Sequence, residues 1–222
     1  MPALEFVFPL IAAHPIPSDH GYLLYGAISQ LLPEVHAENS LAVHPIRGRQ
    51  IGNRQIQLTE QSRLVLRVPD GEIAPLLKLA GQSLRIGATS IRVGVPQVQA
   101  LVPATTLRSR LVTIKVKDTP AGALTPELFL EAARRALTKL GLSDEARLTI
   151  PTRSGPTPDS PPIPQRRTLR VRDVEIVGYE LIIEGLTAEE SLTLQEQGLG
   201  GKRHMGCGVF VAFGKKEVTH AS

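Results

Sequence analysis

Strand-like and helix-like stretches follow one another along this chain in the same order twice, and few folds accommodate that order. Residues 4–10 are mostly apolar and read as a buried first strand. Ser18-Asp19 offers an N-cap to a helix over residues 20–32, which Pro33 would end. Leu23, Leu24, Ala27, Ile28, Leu31 and Leu32 recur at helical spacing and give that helix one buried stripe. Residues 41–44 read as a short strand, and residues 55–58 and 63–68 alternate apolar and polar. A turn at Asp70-Gly71 precedes a second helix over residues 72–80, with Pro75 tolerable in its first turn. Residues 83–86 and 91–101 supply the closing strands, which completes the order β-α-β-β-α-β.

The second half repeats it. Residues 110–116 alternate as a strand, Pro126 opens a helix to Leu140, and Gly141 is placed to stop it. Residues 148–150 are short and extended, and residues 151–164 carry six prolines and read as a loop. A long hairpin follows over residues 169–171 and 175–184, then a helix capped by Thr187, a glycine-rich segment, and a last strand at 209–213. The expected fold class is therefore α+β, with two tandem ferredoxin-like (RRM-like) βαββαβ domains over residues 1–103 and 104–222. The duplication is one of architecture, without a residue-level repeat.

The 222-residue length suits two small domains, and 42% apolar against 21% charged residues excludes wholesale disorder. A single cysteine, Cys207, rules out an intramolecular disulfide and fits a reducing, cytoplasmic setting. Glu5 stands where a signal peptide needs basic charge, and no window approaches 18 uninterrupted apolar residues, so no membrane association is expected. The six histidines show no metalloprotease spacing and Cys207 has no cysteine partner, so neither metal nor cofactor is expected. A net charge of +4 is modest, but the cations crowd into short segments. These are Arg47-Gly48-Arg49, Arg108-Ser109-Arg110, the run from Arg166 to Arg172, and Lys202-Arg203-His204.

The segment from Gly198 to Phe210 has the most distinctive composition. Five glycines in eleven residues allow tight turns and bring backbone N–H groups near an anion, beside Lys202, Arg203 and His204. It is not a nucleotide P-loop, because Arg203 follows Lys202 where Ser or Thr is required. Gly200, Gly201, Lys202, Arg203 and His204 are thus candidate anion-binding residues. A duplicated ferredoxin-like order with a basic, glycine-rich segment before the last strand resembles the RAMP superfamily of CRISPR-associated proteins. Within it the chain is most similar to the CRISPR repeat-processing endoribonucleases of the compact myxobacterial type. That resemblance rests on residues 198–210, on Ser109-Arg110-Leu111-Val112-Thr113-Ile114-Lys115, and on Asp19-His20-Gly21-Tyr22-Leu23-Leu24-Tyr25 with Pro33-Glu34-Val35-His36.

What it implies is metal-independent cleavage of precursor CRISPR RNA, in which the ribose 2′-OH attacks its own 3′-phosphate to leave a 2′,3′-cyclic phosphate. The partners implied are repeat RNA, as precursor and mature guide, and other CRISPR effector subunits. Such chemistry needs a base, an acid and cations around the phosphorane. Histidine, with an unperturbed pKa near 6.5, suits the proton transfers. The resemblance places the general base at His36, after the first helix. His20, at that helix's first turn, is the second candidate, and Tyr22 or Tyr25 could orient the phosphate. RNA-backbone contacts are expected from Arg166, Arg167 and Arg170, with Arg108, Arg110 and Lys115 as further candidates. Aromatic residues are 4% of the chain with no tryptophan, so base stacking is not the expected main mode. The competing reading is a non-catalytic RAMP-type RNA-binding subunit, which shares fold, glycine segment and charge.

Overall fold

A computed structural model describes residues 3–12, 14–34, 41–69, 73–117, 119–155, 157 and 159–214. The elements in chain order are β1 (Ala3–Ile11), β2 (Ile16–Pro17), α1 (Gly21–Leu31), β3 (Ala42–Val43), β4 (Arg49–Gly52), β5 (Gln55–Gln57), β6 (Arg63–Pro69), α2 (Ile73–Leu76), β7 (Ser83–Ile86), β8 (Thr89–Val93) and β9 (Gln97–Ala100). The second half contributes β10 (Thr106–Val112), α3 (Pro126–Lys139), β11 (Arg147–Thr149), β12 (Thr152–Arg153), β13 (Ile163–Pro164), β14 (Arg166–Val171), β15 (Val174–Glu184), α4 (Ala188–Gln197) and β16 (Val211–Ala212).

The first sheet runs β3-β6-β1-β8-β7 and the second β11-β15-β10-β16. With β7 and β9 as additions to the first sheet and β14 to the second, the four remaining strands of each, taken in chain order, read second-third-first-fourth in antiparallel pairs, which is the ferredoxin-like arrangement twice over. Each sheet buries its own apolar cluster: Phe6, Phe8, Leu24, Ile28, Leu64 and Leu66 in the first, Phe129, Leu137, Leu181, Ile183, Leu194 and Phe210 in the second. A third cluster of Tyr25, Leu111, Leu169, Met205 and Cys207 joins α1 to the second sheet. No helix among the described residues is long and apolar enough to cross a membrane.

Several sequence expectations shift. Helix α1 begins at Gly21 with His20 at its N-cap and no side-chain cap. Asp19 instead accepts a hydrogen bond from the Arg170 backbone N–H at 2.9 Å, tying the helix entry to β14. Helix α2 is a single turn continued by a 3₁₀ turn at Leu77–Leu79. The strand read over residues 110–116 is β10, which ends at Val112 after a bulge. Beyond it the Gly201 N–H donates to the Thr113 carbonyl at 3.0 Å, so the glycine segment occupies the ladder that a continued strand would use. Arg172, the end of the basic run that starts at Arg166, lies in the β14–β15 turn with φ +54°. The expected cap at Thr187 holds, as a capping box with Glu190, and α3 opens at Pro126 as expected, with Thr125 as its cap.

Candidate nucleic-acid interface

The two sheets leave a groove between them with two adjoining lobes, of about 470 and about 940 Å³. Ser18, Asp19, His20 and Gly21 at the start of α1 line the smaller lobe together with Arg54, Arg110, Arg166, Arg167 and Gly206. The larger lobe is lined by His44, Ile46, Arg47, Arg108, Val209 and Phe213, and Pro45, Gln50, Arg110 and Arg167 belong to both. Six arginines from four separate stretches of chain therefore face one cavity.

Beneath them lies Glu180 on β15, whose side chain is only 2% exposed. Its Oε1 takes the Arg108 guanidinium at 2.5 Å and its Oε2 the Arg167 guanidinium at 3.0 Å. One buried carboxylate thus forks two cations whose side chains stay partly exposed along the groove. Arg110 has an open surface but stands deep enough between the walls to be desolvated. That desolvation, with Arg167 nearby, lowers its pKa from the ordinary arginine value. Arg166 is exposed on β14, and Arg170, also exposed, donates from Nε to the Arg172 carbonyl at 3.2 Å.

His20 is 1% exposed. Its Nδ1 meets the Pro17 carbonyl at 2.8 Å and its Nε2 accepts the Ile46 N–H at 2.9 Å. Those partners fix the neutral tautomer with the proton on Nδ1, and burial lowers the pKa. Both nitrogens are committed to backbone, so in this geometry the ring offers no lone pair to a substrate. His36 lies outside the described residues. Tyr25 is buried, with its ring 4.4 Å from that of His204, in the cluster joining α1 to the second sheet. The rings do not line the groove.

The glycine segment is a packed turn. The Leu199, Gly201, Met205, Gly206, Cys207 and Gly208 N–H groups all donate to backbone carbonyls. At Gly200, φ is +80° and a Cβ would collide with the Thr113 carbonyl; at Gly21 it would collide with the Met205 carbonyl. These glycines let the turn lie against β10 and α1. Lys202 is exposed. Arg203 turns away, donating to the Glu196 carbonyl at the end of α4 at 2.5 Å, and desolvation with Arg67 nearby lowers its pKa to about 10. Lys115 is exposed beside Lys202 on a separate surface with Val116 and Val174. Burial pushes the Cys207 thiol up to about 12, which makes it a packing residue. Among the described residues no group of three or more His, Cys, Asp or Glu side chains is placed to hold a metal ion.

The structure thus brings Arg108, Arg110, Arg166 and Arg167 together and separates them from Lys115 and Arg203. It adds Arg47, Arg54 and Glu180. Glu180 carries a sequence signal, an acid inside the apolar strand Gly178-Tyr179-Glu180-Leu181-Ile182. Arg54, in a left-handed turn after β4, carries none.

The Cas6 Crispr family model matches residues 4–215. A CRISPR-associated endonuclease Cas6 from Myxococcus xanthus (strain DK1622) is 35% identical over 213 residues, 96% of this chain and 82% of that protein. Two solved structures share the fold. A Cas6-related protein from Pyrococcus furiosus superposes with a TM-score of 0.66 at 17% identity, covering 96% of this chain and 98% of the other. A Cas6 product complex gives 0.55 at 19% identity, covering 96% and 100%.

Proposed function

The chain belongs to the Cas6 family of CRISPR-associated proteins, and on that premise we propose that it binds repeat RNA and cleaves precursor CRISPR RNA within each repeat. The observation that carries this reading is the groove in which six arginines converge between two ferredoxin-like units divided near residue 103. Single guanidinium groups on a surface bind phosphate weakly, but several around one concave path match a nucleic-acid backbone.

In the reaction the 2′ oxygen forms a bond to phosphorus while the bond to the 5′ oxygen breaks. A base takes the 2′ proton and an acid returns one to the leaving oxygen, giving a 2′,3′-cyclic phosphate and a 5′-OH. His36 is assigned as the base on the family resemblance. The groove arginines stabilise the added charge on the phosphorane. His20 is a positioning residue: its two backbone bonds hold the start of α1 against the Pro45-Ile46 wall of the groove. Tyr25 orients the His204 ring. The protein stays on the product RNA as part of a larger effector.

The test is cleavage of cognate repeat RNA in EDTA. Persistence there, with a 2′,3′-cyclic phosphate product and resistance of a substrate carrying 2′-deoxyribose at the cut, is expected. Loss in EDTA with rescue by Mg²⁺ would overturn the metal-independent mechanism. His36→Ala should lower single-turnover cleavage by roughly 10²–10⁴-fold at nearly unchanged affinity, because one neutral imidazole adds little attraction to a polyanion. Equal background cleavage by wild type and His36→Ala would make the protein a non-catalytic RNA-binding subunit.

A further inference from the structure

The larger lobe of the groove contains surface that phosphate binding does not use. Phe213 stands there 42% exposed, and it is the only Phe or Tyr among the described residues lining the groove. The Arg108 guanidinium carbon sits 4.9 Å from its ring centroid. Arg108 is in turn held from behind by Glu180. Ile46, Ile56, Val209 and Val211 form an apolar wall beside the pair. Cations alone suffice for phosphate, whereas a ring, a guanidinium plane and an aliphatic wall suit a flat, partly apolar and weakly polar group.

On the reading of the groove as an RNA site, we propose that Phe213 and Arg108 form a stacking subsite for one unpaired nucleobase of the bound RNA. A base in the larger lobe would lie against the phenyl ring or the guanidinium plane. The phosphates flanking it would meet Arg47 and Arg110, which line the same lobe. Stacking of this kind tolerates any base, because every base presents a π face. The subsite would fix where one single-stranded nucleotide of the RNA lies in the groove. Glu180 makes it rigid: with one guanidinium edge tied to a buried carboxylate, Arg108 keeps its orientation over the ring.

The test uses the full chain and repeat RNAs in which 2-aminopurine replaces one unpaired base at a time. At one position, fluorescence should be quenched on binding. Phe213→Leu should abolish that quench and weaken binding by roughly 5- to 100-fold, while Phe213→Tyr retains both. An abasic nucleotide at the same position should weaken wild type by a similar factor and leave Phe213→Leu unaffected. Tight wild-type binding with no Phe213-dependent quench at any position would overturn the subsite and leave the RNA reading intact. Absence of any salt-dependent binding of repeat RNA by wild type would overturn the RNA reading itself.

Discussion

Arg67 and Arg167 are both strand arginines paired with carboxylates, yet they serve different ends at the junction between the two sheets. Arg67, on β6, is 1% exposed and commits its donors to protein: Glu5 at 2.5 Å, the Gln195 carbonyl at 2.5 Å and the Phe210 carbonyl at 3.0 Å. It is a fastening between the first sheet and the end of α4. Arg167, on β14, has a side chain 36% exposed and gives one edge to Glu180. What differs is the number of donors left over, and that number decides whether a buried-side cation holds the fold or meets a ligand. The carboxylates differ in the same sense. Burial alone would raise the Glu5 carboxyl, but His44 and Arg67 override it and hold it at about 2.

The largest effect is expected from breaking the fastening. Arg67→Ala takes the guanidinium from Glu5 and from the Gln195 and Phe210 carbonyls, and should lower stability by about 3–5 kcal/mol in urea unfolding. A change below about 1 kcal/mol would mean that the donors are not needed for stability. Acid should weaken the same region. With a folded pKa near 2 against 4.5 unfolded, Glu5 contributes about 3 kcal/mol that is present above pH 4.5 and lost as the pH falls toward 2. His20 and His44, held neutral by burial, have lowered pKa values, so the unfolded chain takes up their protons first. Stability should therefore begin to fall below about pH 6.5, and replacing Glu5 by Gln should flatten the lower part of the curve. An unchanged acid limb in Glu5→Gln would remove Glu5 from the account.

The groove side should respond chiefly in binding. Arg166→Ala with Arg167→Ala should reduce the log–log salt slope of RNA affinity by roughly 0.7–0.9 for each phosphate that is no longer neutralised. Unfolding midpoints should fall by less than in Arg67→Ala, because the buried Glu180 carboxylate keeps Arg108. An unchanged slope would place both residues outside the RNA path. Lys115→Ala should have the smallest effect, leaving the slope unaltered, since Lys115 sits on a surface separate from the groove. A drop equal to that of Arg166→Ala would extend the RNA path around the second sheet.

Much of the fold was legible because periodicity is a local property. Thr125 with Pro126, Thr187 with Glu190, and the strands over residues 4–10 and 175–184 state their own conformations through caps and alternation. The end of β10 was not legible. Residues 110–116 alternate well enough for a strand, but the partner that stops it lies far along the chain, at Gly201. The close packing of the glycine segment was not legible either, because glycine permits both close packing and anion approach, and the contacts of Gly200 with Thr113 and of Gly21 with Met205 are set by the fold.

The sequence by itself determined the doubled βαββαβ order, the stretches rich in cations, and the capped helices, since each depends on residues within a few positions of one another. The tertiary structure alone decided which cations share a cavity. Lys202 and Arg203 are adjacent in sequence but point apart, one to solvent and one to the end of α4. Arg54, Arg108 and Arg166 are far apart in sequence but line one groove. Charge density along a chain is fixed by covalent order, whereas charge density in space depends on which faces two packed sheets turn toward each other. His20 shows the same limit: its type and helix position suit a base, and only the backbone of Pro17 and Ile46, folded around it, claims both nitrogens.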